Sequence, residues 1–74
     1  MREEKYKGFI IKVTFWGDSI TPMYKFRLYK PRKNWFPKLV YIKDFHRDEV
    51  GSRLSNKFDD VISDYNRELE RWSI

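Results

Sequence analysis

Residues 23–43 read MYKFRLYKPRKNWFPKLVYIK, and the way this stretch divides decides the fold. Side chains of a strand alternate between two faces. Taken as two strands, Met23 to Lys30 and Lys38 to Asp44, the stretch places Tyr24, Phe26, Leu28, Val40 and Ile42 on one face. Lys25, Arg27, Tyr29, Tyr41 and Lys43 fall on the other. The first set suits a core. The second holds the residue types that bind phosphates and stack on bases. Pro31 and Pro37 bracket a basic, aromatic loop, Arg32-Lys33-Asn34-Trp35-Phe36. Proline cannot donate to a ladder, so both are expected to mark strand ends.

Working outward, a strand is expected from Lys7 to Trp16. Phe9, Ile11, Val13 and Phe15 form its apolar face at period two, with Ile10, Lys12, Thr14 and Trp16 opposite. Gly17-Asp18-Ser19 breaks this strand, and Pro22 limits any continuation. Towards the C-terminus, Val50, Leu54, Phe58, Val61, Ile62, Tyr65, Leu69 and Trp72 recur at spacings of three and four. They span an arc of about 120° on a helix, which predicts one amphipathic helix with one buried stripe. Asp48 or Asp44 is the expected N-cap, with Asp48-Glu49 at the positive end of the dipole and Gly51 near the start; alternatively the continuous helix begins only at Ser52. Glu49 with Arg53, Asp64 with Arg67 and Glu68 with Arg71 have the spacing of surface ion pairs. Asp60 and Asp64 are assigned to the solvated side.

The expected fold is therefore α+β: a three-stranded antiparallel sheet (β-β-β-α) with the C-terminal helix packed on one face. Residues 1–74 form a single small domain. This order of elements is similar to the small three-stranded-sheet-plus-helix domains with which some phage and transposon integrases grip DNA arm sites. The similarity is one of architecture, and it carries over no site residue.

Composition narrows the functional classes. With no cysteine, neither disulfides nor thiolate metal sites are available. No apolar run exceeds the four residues Leu39 to Ile42, against about 20 for a membrane span. No signal-peptide core follows Met1, so a cytoplasmic location and no membrane partner are expected. Ala and Gln are absent while Lys, Ile, Phe, Tyr and Asp abound. An AT-rich coding sequence yields that bias, and a virus or mobile element is one source of such sequences. The net charge of +5 is uneven: residues 1–45 hold eleven Lys/Arg against four Asp/Glu, residues 46–74 five against seven. That asymmetry suits a polyanionic partner.

A single helix covers one sheet face, so the other face meets solvent or a partner. The candidate nucleic-acid-binding residues are Lys12, Trp16, Lys25, Arg27, Tyr29, Tyr41 and Lys43 on that face, with Lys30, Arg32, Lys33, Trp35 and Lys38 from the loop. Lys and Arg would neutralise phosphates, and Tyr29, Trp35 or Tyr41 would stack on unpaired bases. Alternatively the sheet lies in a major groove, with Arg27 reaching a guanine edge. The plain alternative is that the cations only keep an aromatic-rich chain soluble. A protein-binding module, an inhibitor or accessory subunit anchored by Trp16 and Trp35, is the second reading. The plain alternative to that reading is that Trp35 and Phe36 fold back to close the sheet edge, which is expected for Phe36 and open for Trp35. The chain is read as a monomer or a homodimer.

An enzyme is not expected, nor a cofactor. His46 is the only histidine and has no cysteine to activate. Asp44, His46 and Asp48 have a metal-compatible spacing, which helix capping explains more simply. No glycine-rich phosphate loop is present among three glycines.

Overall fold

The computed structural model describes residues 2–72 and shows an α+β fold built on an antiparallel sheet of four strands, one more than expected. The additional strand, β1 (Arg2–Tyr6), precedes β2 (Phe9–Gly17) and pairs with it from Arg2↔Val13 to Tyr6↔Phe9. Lys7 and Gly8 join the two, with φ of 49° and 83°. Two successive positive φ values mark a type I′ hairpin turn, whose twist matches that of the strands. The segment 2–6 hides its period-two pattern because it is an edge. Its core-side positions are Arg2, Glu4 and Tyr6, and only Tyr6 packs against the core.

The remaining strands are β3 (Pro22–Arg32) and β4 (Trp35–His46), giving the meander β1-β2-β3-β4. Between β2 and β3, Asp18 Oδ1 accepts hydrogen bonds from the backbone N–H groups of Ile20 (3.0 Å) and Thr21 (2.8 Å). Pro22 opens β3 opposite Gly17, a position where a strand tolerates proline. Gly17 has φ of +92°, and a Cβ there would lie 2.1 Å from the Thr21 carbonyl oxygen. Gly8 is also left-handed, yet a Cβ there meets nothing within 4 Å. Gly17→Ala is therefore expected to destabilise by at least about 1–3 kcal/mol, and Gly8→Ala by clearly less. Urea midpoints of the two variants check this, and equal losses would contradict the close approach.

Pro31 and Pro37 lie inside strands instead of ending them. Beyond Tyr29, β3 has no β2 partner, so its far side is open. Both prolines fall where the β3–β4 register slips between Lys30↔Lys38 and Arg32↔Trp35. Ladder donors are not demanded there, so proline is admitted. The expected loop is thus the end of a long hairpin turning at Lys33-Asn34, with Asn34 at φ 58°.

A second slip, between Leu28↔Tyr41 and Tyr29↔Leu39, leaves Val40 as an extra residue on β4. Val40 packs against the core as expected, but from Tyr41 onward the expected phase of β4 is reversed. Tyr41, Lys43 and Phe45 oppose Leu28, Phe26 and Tyr24 on the helix side, while Leu39, Ile42 and Asp44 oppose Tyr29, Arg27 and Lys25 on the free side. Phe45, just past the expected strand end, fixes this phase. It is buried and meets Phe26 edge-to-face at 5.5 Å.

The helical segment is broken where one helix was expected. A short helix α1 (Arg47–Val50) ends at Gly51, a 3-10 turn covers Leu54–Lys57, and α2 runs Phe58–Trp72. The cap of α1 is His46, not Asp44 or Asp48. Its Nδ1 accepts from the Asp48 N–H at 3.1 Å, and Glu49 Oε1 accepts from the His46 N–H at 3.2 Å. The apolar spacing survives the break because Val50, Phe58 and Val61 all reach the same core, with Ile11, Val13, Phe26, Leu28 and Phe45. Phe15, an expected core residue, is exposed against Tyr24, and Leu69 and Trp72 end the stripe in the open.

Candidate nucleic-acid interface

The face that α1 and α2 leave uncovered carries Lys12, Trp16, Lys25, Arg27 and Tyr29, as the β2–β3 alternation predicts. Register adds residues the sequence reading left out: Glu3 and Lys5 from β1, and Leu39, Ile42 and Asp44 from β4. The polar groups of this face are tied to one another. Lys12 Nζ sits over the Tyr29 ring at 4.8 Å and 3.5 Å from Glu3. Lys25 Nζ sits 5.5 Å over the Trp16 ring, whose Nε1–H donates to Asp44 at 3.1 Å. Arg27 donates to the Thr14 hydroxyl at 2.9 Å.

Tyr41 and Lys43 are not part of this face. Tyr41 packs against the Tyr65 ring at 6.3 Å. Lys43 reaches across to Asp64 at 3.1 Å, and Arg67 pairs with the same carboxylate. These residues, with Glu68 and Arg71, line a groove between β4 and α2 that is spanned by its own ion pairs. Asp64 is therefore turned toward the sheet rather than to the solvated side. Burial alone would raise its pKa, but the hydrogen bonds and charges of Lys43 and Arg67 outweigh that and hold it below the usual value.

A carboxyl depressed in the native state stabilises fully above its unfolded pKa, about 3.9, and that contribution is lost as pH falls through the lower native value. Urea midpoints should therefore fall below about pH 4, and Asp64→Asn should make the acid limb shallower. An unchanged limb would show that the Lys43–Asp64–Arg67 contact is energetically idle. Asp59 behaves alike, its carboxyl lowered chiefly by the hydrogen bond from Lys7 at 2.8 Å, so the limb does not vanish.

The hairpin end is different. Lys30, Arg32, Lys33 and Lys38 lie within nine residues that contain no acid. Among the described residues none of the four has a carboxylate partner; Arg32 donates only to the Phe36 carbonyl, at 2.9 Å. Other cations without a carboxylate partner include Lys25 and Arg27 on the same hairpin, and Lys5, Arg47 and Arg53 elsewhere. Lys30 and Lys38 are direct cross-strand neighbours. Like charges so placed destabilise a sheet. Trp35 and Phe36 stand 69% and 82% exposed. The expected fold-back of Phe36 does not occur, because β4 carries it out past the end of β2.

Among the described residues no cluster of three or more His, Cys, Asp and Glu side chains is placed to hold a metal, and no helix is long and apolar enough to cross a membrane. No family model matches the chain, and neither characterised proteins nor solved structures show a significant likeness to it.

Proposed function

We propose that this chain is a small nucleic-acid-binding domain whose contact surface is the β3–β4 hairpin, its end first and the adjoining Lys25 and Arg27 second. The observation that carries this reading is how ion pairing sorts the cations. Arg2, Lys7, Lys12, Lys57, Arg67 and Arg71 elsewhere, and Lys43 far from the turn on β4, are matched by carboxylates of the same chain, while the unmatched Lys5, Arg47 and Arg53 lie singly on β1, α1 and the turn before α2. Nearer the turn, Lys25, Arg27, Lys30, Arg32, Lys33 and Lys38 have no carboxylate partner among the described residues, and four of the six fall within residues 30–38. A projecting two-stranded ribbon with unmatched positive charge suits a polyanion, which repays the repulsion by releasing counterions.

Titration with short DNA and RNA, followed by amide chemical shifts, tests this. Shifts are expected in residues 25–38, with affinity falling roughly 10²–10³-fold between about 50 and 200 mM salt for four to six phosphate contacts. Absence of shifts at low salt would end the reading. A second reading keeps one specific observation in its favour. Trp16, Leu39 and Ile42 are exposed on a face whose polar groups are already satisfied, which suits a protein partner better than phosphates. A stoichiometric protein complex that survives nuclease and is lost on Trp16→Ala would favour it.

A further inference from the structure

Resting on the nucleic-acid reading, we infer that the hairpin takes an unpaired strand, with a base stacked on Trp35 and a phosphate held between Lys30 and Lys38. Three observations converge. First, the faces of the other aromatics near the exposed cations are occupied: Lys25 covers Trp16 and Lys12 covers Tyr29. Trp35 and Phe36 are the hairpin aromatics with no ring or cation partner among the described residues. Second, the two are adjacent on β4, so their side chains leave opposite faces of the ribbon. An unpaired strand can follow such a bend, and its bases offer open π-faces. A duplex base is already stacked on both sides and must first be unstacked, at a cost. Third, the Lys30↔Lys38 pairing is a local conflict that folding does not need. An anion placed between the two ammonium groups resolves it.

Each element has a separate consequence. Trp35→Ala removes a stacking surface without touching the core, since Trp35 is 69% exposed. Trp35→Phe retains a stacking ring. Lys30→Gln with Lys38→Gln removes the repulsion, so it should raise the denaturation midpoint while weakening binding. A residue pair that served only stability would not show those opposite signs.

The experiment is fluorescence anisotropy of labelled oligonucleotides of about 15 residues, near the upper end of what one small domain occupies. Oligo-dT, oligo-U and a mixed-sequence DNA duplex are compared at about 50 mM salt. The expected result is at least tenfold tighter binding to the single strands than to the duplex. Trp35→Ala should lose roughly 5- to 100-fold on single strands, and Trp35→Phe should recover most of it. The relative strength of the dT and U arms separates DNA from RNA. If the duplex binds as tightly as the single strands and Trp35→Ala changes neither, the unpaired-strand inference is overturned while nucleic-acid binding stands. If no oligonucleotide binds, the nucleic-acid reading itself falls, and this inference with it.

Discussion

Reversing the hairpin charges together, as Lys30→Glu, Arg32→Glu, Lys33→Glu and Lys38→Glu, is expected to lower nucleic-acid affinity at about 50 mM salt by roughly three orders of magnitude or more. The magnitude follows from losing four counterion-releasing contacts and replacing them with repulsion. Stability should hardly change. None of the four side chains belongs to the core, and the Lys30↔Lys38 pair of like charges becomes another pair of like charges. Far-UV circular dichroism and the urea midpoint check that the fold persists. Arg47→Glu with Arg53→Glu is the matching control, because these residues also lack a carboxylate partner among the described residues but lie at the opposite end of β4 from the turn, or beyond it. Its binding should fall only modestly, through net charge. If the control and the hairpin variant lose affinity equally, net charge rather than the hairpin governs binding.

The second large effect concerns the fold. Phe58→Ala is expected to leave little native protein at 25 °C. Phe58 is 1% exposed, opens α2, and meets the rings of Tyr6 at 5.4 Å and Phe26 at 6.3 Å. Truncating such a residue costs about 3–5 kcal/mol. That equals what a single core of this size supplies, and no cysteine is present to staple the chain. Urea denaturation followed by circular dichroism reads the loss. Phe58→Leu keeps most of the packed volume and should retain a cooperative transition at a lower midpoint. An Ala variant as stable as the parent would mean that α2 is not seated on Phe26 and Tyr6.

The segments legible in the sequence were those whose pattern is enforced by burial. Phe9 to Val13 and Tyr24 to Leu28 alternate because a strand at the sheet centre has one side under the helices, and both were placed on the side the structure gives them. The apolar spacing from Val50 to Tyr65 likewise pointed to a helical layer, although Gly51, at φ 75°, divides it. Edge strands escape this logic. Arg2–Tyr6 needs only one apolar side chain to pack, so its charged composition shows no period-two signal and no strand was expected there. At β4 the local alternation placed Val40 against the core, where it packs, but pointed the wrong way for Tyr41, Ile42 and Lys43. One bulged residue, Val40, shifts the phase, and Phe45 then decides it from beyond the stretch that was read. Tyr41 and Lys43 were assigned to the interface for that reason and belong to the contact with α2.

The candidate site divides the same way. Composition alone supplied the basic, aromatic character of residues 30–38 and the absence of acids among them. It could not supply which cations are spoken for. Lys12 and Lys43 look like Lys30 and Lys38 in the sequence, but their partners Glu3 and Asp64 are set by strand register and by the path of α2. The sequence by itself determined an antiparallel sheet with a helical layer, since periodicity is a property of neighbours along the chain. Only the tertiary structure decided the fourth strand, the phase of β4 and the unmatched charge of the hairpin. Those depend on pairings between residues far apart in sequence, where a single bulge reverses every side chain beyond it.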